Sequence, residues 1–161
     1  MPQVVQRFAR AFIAGLVGAG VMSALTAVGR RRRIHIDFES MLGTILGGPP
    51  RPAQRRAGFA IQLLNGGLLA QPYAAALDRV PGVPGWAVGI ALGLVHSLVA
   101  GAALGVAPAV HPEIPGRLPE PGPFYARQGQ SAIALFVVTH AVYGAIVGTL
   151  CARRRRSDAA R

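Results

Sequence analysis

Residues 84–110 read PGWAVGIALGLVHSLVAGAALGVAPAV and residues 131–152 read SAIALFVVTHAVYGAIVGTLCA, two apolar runs without a single Asp, Glu, Lys or Arg. A helix needs about 20 apolar residues to cross the hydrocarbon core of a bilayer, so each run is long enough to span it. Each run also has one histidine near its middle, His96 and His140. Ionisable side chains at that depth are rare. This hairpin therefore predicts a membrane fold and points to a first candidate site.

Two more charge-free runs, residues 11–29 and 57–77, precede the hairpin. Only 14% of the chain is charged, against about 25% in soluble domains. The predicted fold is an all-α polytopic transmembrane four-helix bundle, a single domain over residues 1–161. Its predicted spans are about 8–28, 57–77, 84–110 and 131–152.

The segment IHIDFESMLGTILGG, residues 34–48, contains two acidic residues and is too short to span. Asp37 is a suitable N-cap, so the pattern predicts a short amphipathic helix at about 38–46 that is interfacial or re-entrant. Residues 111–130 are rich in proline and glycine and predict an extended loop without a domain of its own.

Small residues recur at four-residue intervals in the spans, where they let neighbouring helix backbones approach closely. Span three contains a literal GxxxG at Gly89–Gly93. The residues predicted to pack helices together are Gly15, Ala19, Ser23, Gly66, Gly89, Gly93, Ser97, Gly101, Gly144 and Gly148. Part of this pattern repeats at offsets of 74 and 78 residues. Two parallel hairpins of similar structure would explain the repeat, and the Gly and Ala bias of the chain explains it as well.

The net charge of +11 comes from 17 basic residues, all of them arginine and mostly near span ends. There they bind anionic lipid headgroups, so the bilayer is the predicted partner and nucleic acid is not. Four spans put eight arginines on one side and nine on the other, and the positive-inside rule does not choose between them. Arginine without lysine, with abundant Ala and Gly, is typical of a GC-rich bacterial gene. The predicted location is a bacterial cytoplasmic (inner) membrane.

The candidate intramembrane polar site consists of His96 and His140 with Gln62 and Asn65 of span two. Two imidazoles at one depth are the ligands of a b-type haem, and they also suit a divalent metal or a proton relay. The alternative is packing, in which His140 bonds to Gln62, Asn65 or Ser97 and no cofactor is bound. The packing interpretation is favoured.

A second candidate, a surface metal site, consists of His35, Asp37, His111 and Glu113. The four-span topology places these residues on one side of the membrane, and their side chains are of the types that bind Zn²⁺.

No catalytic motif occurs, and the single cysteine, Cys151, excludes an intrachain disulfide. The predicted function is that of a small structural or accessory membrane protein without enzymatic activity, acting as a homo-oligomer or with a membrane-protein partner. One alternative is a haem- or metal-binding electron-transfer subunit that uses His96 and His140. The other is a small solute or proton transporter, against which the absence of a carboxylate in any span argues.

Three segments and one dipeptide together carry a family resemblance. They are GLVGAGVMSAL (15–25), DFESMLGTILGG (37–48), THAVYGAIVGTL (139–150) and His111-Pro112. In combination they resemble the uncharacterised four-helix bacterial inner-membrane proteins of the YagU-like group. The resemblance covers nearly the whole chain and implies the fold, but no established activity or ligand. Gln62 stands where such families favour a histidine, which counts against a shared metal or haem site.

Overall fold

The computed structural model describes residues 2–158, with side chains described from residue 3 to residue 152. Within residues 2–158 the chain forms helices and no strand, which confirms the all-α prediction. The α-helices are α1 (Pro2–Arg31), α2 (Phe38–Gly43), α3 (Pro52–Leu77), α4 (Gly85–Leu104), α5 (Ala107–Val110) and α6 (Gln130–Asp158). The headgroup contacts predicted for Arg153–Arg156 and Arg161 lie outside the described side chains.

Three helices are long and apolar enough to cross a membrane, namely α1 over Gln3–Arg31, α4 over Gly85–Leu104 and α6 over Gln130–Ala152. Many apolar side chains on them face outward, as lipid-facing residues do; Val99 is 67% exposed. Helix α3, with 26 residues, is also long enough to cross a membrane, but it is not one of these three candidate spans. Its apolar sequence is interrupted by Gln62, Asn65 and Gln71. The structure is therefore that of an α-helical membrane protein.

The long helices associate as two close pairs, α1 with α3 and α4 with α6. Backbones touch at paired glycines, because a methyl group on Gly15 would overlap the carbonyl of Gly66, and one on Gly89 would overlap that of Gly144. Helices α1 and α6 also pack together and join the pairs, whereas α3 and α4 meet only weakly. The bundle is thus tightly packed on one side and loosely packed on the opposite side.

The two glycine contacts are related by the offsets seen in the sequence. Gly89 follows Gly15 by 74 residues, and Gly144 follows Gly66 by 78. Each hairpin therefore makes its closest backbone contact at matching positions, as the proposed pair of similar hairpins requires.

Helix α4 ends at Leu104, earlier than the apolar run that continues to residue 110. Pro108 is the physical reason, because its ring clashes with the carbonyl four residues before it and it has no N–H to donate. The chain resumes as the short helix α5. Helix α2 begins after Asp37, whose carboxylate accepts a hydrogen bond from the Ser40 amide at 3.2 Å, which confirms the N-cap.

Residues 111–129 form a compact cap on the bundle instead of an extended loop. Ile114, Leu118 and Tyr125 are buried. A tight turn over Pro123–Gln128 holds Phe124 and Tyr125 at positive φ, and Phe124 packs against Gly101 of α4. The sequence pattern missed this because prolines and glycines dominate the segment and hide its few apolar anchors.

Candidate intramembrane binding site

A cavity of about 350 Å³ lies inside the bundle. The middle of the long helices forms one part of its wall, and α2, α5 and Tyr125 of the cap close the end. Its volume falls in the range of small-molecule sites, about 300–1,000 Å³. Most of its wall is apolar. Its polar side chains in the long helices are those of Thr26, Gln62, Asn65, His96, Thr139, His140 and Tyr143. All four members of the predicted intramembrane polar site therefore line a single cavity.

The histidine pair is positioned by the close packing of α4 against α6. A side chain on Gly93 would overlap the carbonyl oxygen of His140, so the two backbones touch at this level. His96 lies three residues after Gly93 on α4, and its ring meets the His140 ring edge-to-face with centroids 4.9 Å apart. Small-residue packing thus places the two imidazoles side by side.

Each ring of the histidine pair makes one hydrogen bond through its Nδ1 atom. The Nδ1 atom of His140 lies 2.8 Å from the carbonyl oxygen of Phe136, which only accepts, so Nδ1 carries the hydrogen and Nε2 of the neutral ring is a bare acceptor. The Nδ1 atom of His96 lies 3.2 Å from the Tyr73 hydroxyl. This hydrogen bond joins α3 to α4 at the level of the histidine pair.

Gln62 enters the cavity from α3 and is only 8% exposed. Its amide makes no hydrogen bond to any residue that the structure describes, and neither Nε2 atom of the histidine pair does. The bond expected from His140 to Gln62, Asn65 or Ser97 is not formed, because His140 bonds within its own helix and Ser97 donates to Leu94. These three side chains therefore have hydrogen-bonding capacity to offer a bound molecule.

Two tyrosines that the sequence reasoning overlooked complete the site. The Tyr143 hydroxyl donates to the Gly66 carbonyl at 2.5 Å and links α6 to α3. The Tyr73 ring meets the Tyr143 ring edge-to-face with centroids 5.5 Å apart. The sequence did indicate Tyr143 as a site residue, because Tyr143 follows His140 by three residues and therefore lies on the same helix face.

The cavity reaches the outside of the bundle where α3 and α4 make few contacts. Asn65 and Leu69 of α3 and Ala103 of α4 line the cavity and are also exposed at the surface. This edge lies along α4, one of the three helices long and apolar enough to cross a membrane.

A buried carboxylate lies at the cap end of the cavity. The Glu39 side chain, 8% exposed, pairs with Arg30 at 3.0 Å and with Arg55 at 3.4 Å. Helix α2 approaches α3 closely here, because the backbone of Glu39 rests against Gly58. Burial raises the pKa of the nearby Tyr125 hydroxyl, and the negative charges of Asp37 and Glu39 raise it further. Tyr125 therefore remains a neutral wall of the cavity.

Three of the four predicted surface metal residues are engaged in other contacts, namely His111, Glu113 and Asp37. Nε2 of His111 donates to the Met41 carbonyl at 2.8 Å, and its Nδ1 accepts from the Glu113 amide at 3.2 Å. Glu113 accepts from the Gly48 amide and pairs with Arg117. Asp37 caps α2 and lies 3.4 Å from Arg55, while His35 is exposed. Among the described residues, no three His, Cys, Asp or Glu side chains are grouped as metal ligands are.

The geometry of the histidine pair bears differently on the two cofactor alternatives. A hydrogen bond to Nδ1 orients each ring, and for His140 it leaves Nε2 as a bare nitrogen, as second-sphere contacts do in metal sites. A haem iron bound by both imidazoles would lie between the rings, and the edge-to-face contact leaves no space there. Haem ligation would therefore require the two rings to separate.

No family model, curated protein or solved structure matches this chain.

Proposed function

We propose that this protein binds a lipid-soluble small molecule inside its helical bundle. The observation that supports this most directly is Gln62, a residue only 8% exposed whose amide makes no hydrogen bond to a described residue and lines the same cavity as His96 and His140. An apolar cavity with a few convergent polar groups is the usual form of a small-molecule site. The opening between α3 and α4 admits molecules from the bilayer.

The proposal includes α3 as a fourth membrane span, with both chain ends on one side. In support, α3 packs along α1, and Gly15 contacts Gly66 near the middle of both helices. Gln62 is buried and therefore hidden from lipid, which removes most of its cost in a spanning helix. Asn65 lies at the cavity mouth. The proposed location is a bacterial inner membrane, and membership of the YagU-like group remains a prediction.

The test is to purify the protein from its membranes in a mild detergent and identify the co-purifying small molecules by mass spectrometry. Gln62→Leu removes the cavity amide while keeping similar volume. Gln71→Leu is the matched control, because Gln71 lies on the same helix and bonds to the carbonyls of Phe8 and Gly67, outside the cavity. One lost hydrogen bond of about 0.5–1.5 kcal/mol lowers occupancy by up to about tenfold in Gln62→Leu and leaves the control unchanged.

Equal amounts of the same compounds in all three proteins would contradict the proposal. If the folded wild-type protein retains no compound, the proposal is wrong. The accessory role predicted from the sequence is then the better interpretation. A Soret band or a stoichiometric metal that is lost in His96→Ala and His140→Ala would instead establish the electron-transfer alternative. The transporter alternative needs the same binding site and, in addition, movement of the bound compound across the membrane.

A further inference from the structure

We propose that the cap end of the bundle, where α1 ends and α3 begins, binds the phosphate groups of anionic phospholipids. The inference goes beyond the proposed function, because it concerns the outer surface of the protein and not the cavity. The binding groups are five exposed arginines that contact no carboxylate of a described residue, namely Arg31, Arg32, Arg33, Arg51 and Arg56.

Ion pairs divide the arginines of this end into two groups. The sequence predicts lipid contacts for arginines near span ends in general. In the structure, however, each of the four carboxylates at the cap end is already paired. The pairs are Arg30 with Glu39, Arg55 with Asp37 and Glu39, Arg117 with Glu113, and Arg127 with Glu120. The charge of the five unpaired arginines is therefore available to an anion from outside the protein.

Helices α1 and α3 bring unpaired arginines to the same place. The guanidinium groups of Arg30 and Arg55 both contact the Glu39 carboxylate, at 3.0 and 3.4 Å. Arg31 and Arg56 are their immediate neighbours along the chain, and both are exposed. Positive charge from the end of one helix and from the start of the other is thus concentrated beside the Glu39 pairs.

The exposed apolar surface of both helices ends where these arginines begin. Val28 of α1 is 49% exposed, and Arg31 follows it by three residues on the same face. Phe59 of α3 is 40% exposed, and Arg56 precedes it by three residues. Lipid phosphates lie just outside the hydrocarbon core of a bilayer. An arginine one turn beyond an exposed apolar residue therefore lies at their level.

Exposed apolar side chains favour a lipid over a soluble anion. Leu46, shortly after α2, is 98% exposed, and Ile45 is 53% exposed. Along the chain they lie between the two groups of unpaired arginines. Apolar side chains next to arginines are typical of protein surfaces in the headgroup region, where the apolar groups reach the acyl chains. A free phosphate ion would leave Leu46 and Ile45 in water.

The experiment compares the binding of phosphatidylglycerol and phosphatidylcholine with identical acyl chains to the purified protein by native mass spectrometry. We expect the wild-type protein to prefer phosphatidylglycerol. The double variant Arg31→Gln/Arg56→Gln should lose at least about tenfold of this preference, because an anionic surface attracts each basic side chain by about fivefold.

The matched control is the double variant Arg117→Gln/Arg127→Gln. It removes two charges from the same end, but from arginines that are paired with Glu113 and Glu120. We expect it to retain the preference for phosphatidylglycerol. Inorganic phosphate should displace no more of this lipid than sodium chloride does at the same ionic strength.

Equal binding of the two lipids to the wild-type protein would overturn the inference. Equal losses in the two double variants would also overturn it, because total charge and not the unpaired arginines would then determine binding. Stronger displacement by inorganic phosphate would assign the arginines to a soluble anion instead. If the control variant does not fold, as judged by thermal unfolding, the comparison of Arg56→Gln with Arg127→Gln decides.

Discussion

At the scale of single residues, Glu39 shows how this bundle accommodates a charge next to an apolar cavity. Its carboxylate is 8% exposed and contacts Arg30 at 3.0 Å and Arg55 at 3.4 Å. Breaking a buried pair leaves the partner with an uncompensated charge, which costs more than the pair itself contributes. We expect Glu39→Gln to lower the free energy of unfolding by about 1–3 kcal/mol, because Arg30 is itself only 22% exposed. Thermal unfolding in detergent micelles measures the loss.

The matched control is Glu120→Gln. Glu120 pairs with Arg127 at 2.9 Å, but the Arg127 side chain is 63% exposed, so water screens the lost interaction. A surface pair contributes about 0–1 kcal/mol, and the control should lose no more than that. Losses of equal size in the two variants would show that the Glu39 pairs are no more important than a surface contact.

The sequence shows how deep in a predicted span a residue lies, but it does not show which residues its side chain will contact. His96 and His140 are near the centres of their runs, and the structure brings their rings together. The partners of their Nδ1 atoms depend on which rotamers the packing selects. Tyr73, near the end of α3, reaches His96 through its long side chain, with its hydroxyl 3.2 Å from Nδ1. Spacing along the chain contains no information on that contact.

At the scale of elements, Gly93 controls the distance between α4 and α6. Its missing side chain allows contact with the His140 carbonyl, and a methyl group would overlap that atom. We expect Gly93→Ala to push the helices apart and to cost about 1–3 kcal/mol, as overpacking of a fitted core does. Because the same contact positions His96 beside His140, the variant should also lose ligand. Unfolding temperature and retained ligand are measured on one preparation.

Gly20→Ala is the control for helix propensity. A methyl group there would lie 3.9 Å from Leu63, an ordinary contact. Alanine favours helix over glycine by about 1 kcal/mol, so this variant should be neutral or more stable. If both alanine variants shift stability in the same direction, close packing at Gly93 is not the cause.

Element boundaries follow from the sequence where one residue decides them. Asp37 begins α2 through its side chain, and Pro108 separates α4 from α5. The segment over residues 111–129 was not predictable in this way. It is held by contacts distant in sequence, including His111 with the Met41 carbonyl and Glu113 with the Gly48 amide. The proline and glycine content of this segment predicts its turns, but it does not predict the surface of the bundle against which the segment packs.

At the scale of the whole molecule, the cavity results from a departure from symmetry. The contacts Gly15–Gly66 and Gly89–Gly144 match between the two hairpins. A fully symmetric bundle would pack α3 against α4 as closely as it packs α6 against α1. Only the second of these interfaces is closely packed, so the other remains open and gives access to the site. The hairpin pattern was visible in the sequence, but the asymmetry was not, because it depends on how the pairs dock.

Whether α3 crosses the membrane determines on which side each connection lies, and this can be measured. After Cys151→Ser, single cysteines are introduced at three exposed positions: Arg32 after α1, Val83 between α3 and α4, and Gly116 between α5 and α6. Four spans place residues 32 and 116 on one side and residue 83 on the other. If α3 does not cross, residue 83 shares a side with residue 32, and residue 116 lies opposite. A membrane-impermeant maleimide, applied to sealed vesicles of known orientation and then after lysis, distinguishes the two patterns. We expect residue 83 to differ from both of the others, because burial of Gln62 inside the bundle lets α3 cross despite its polar residues.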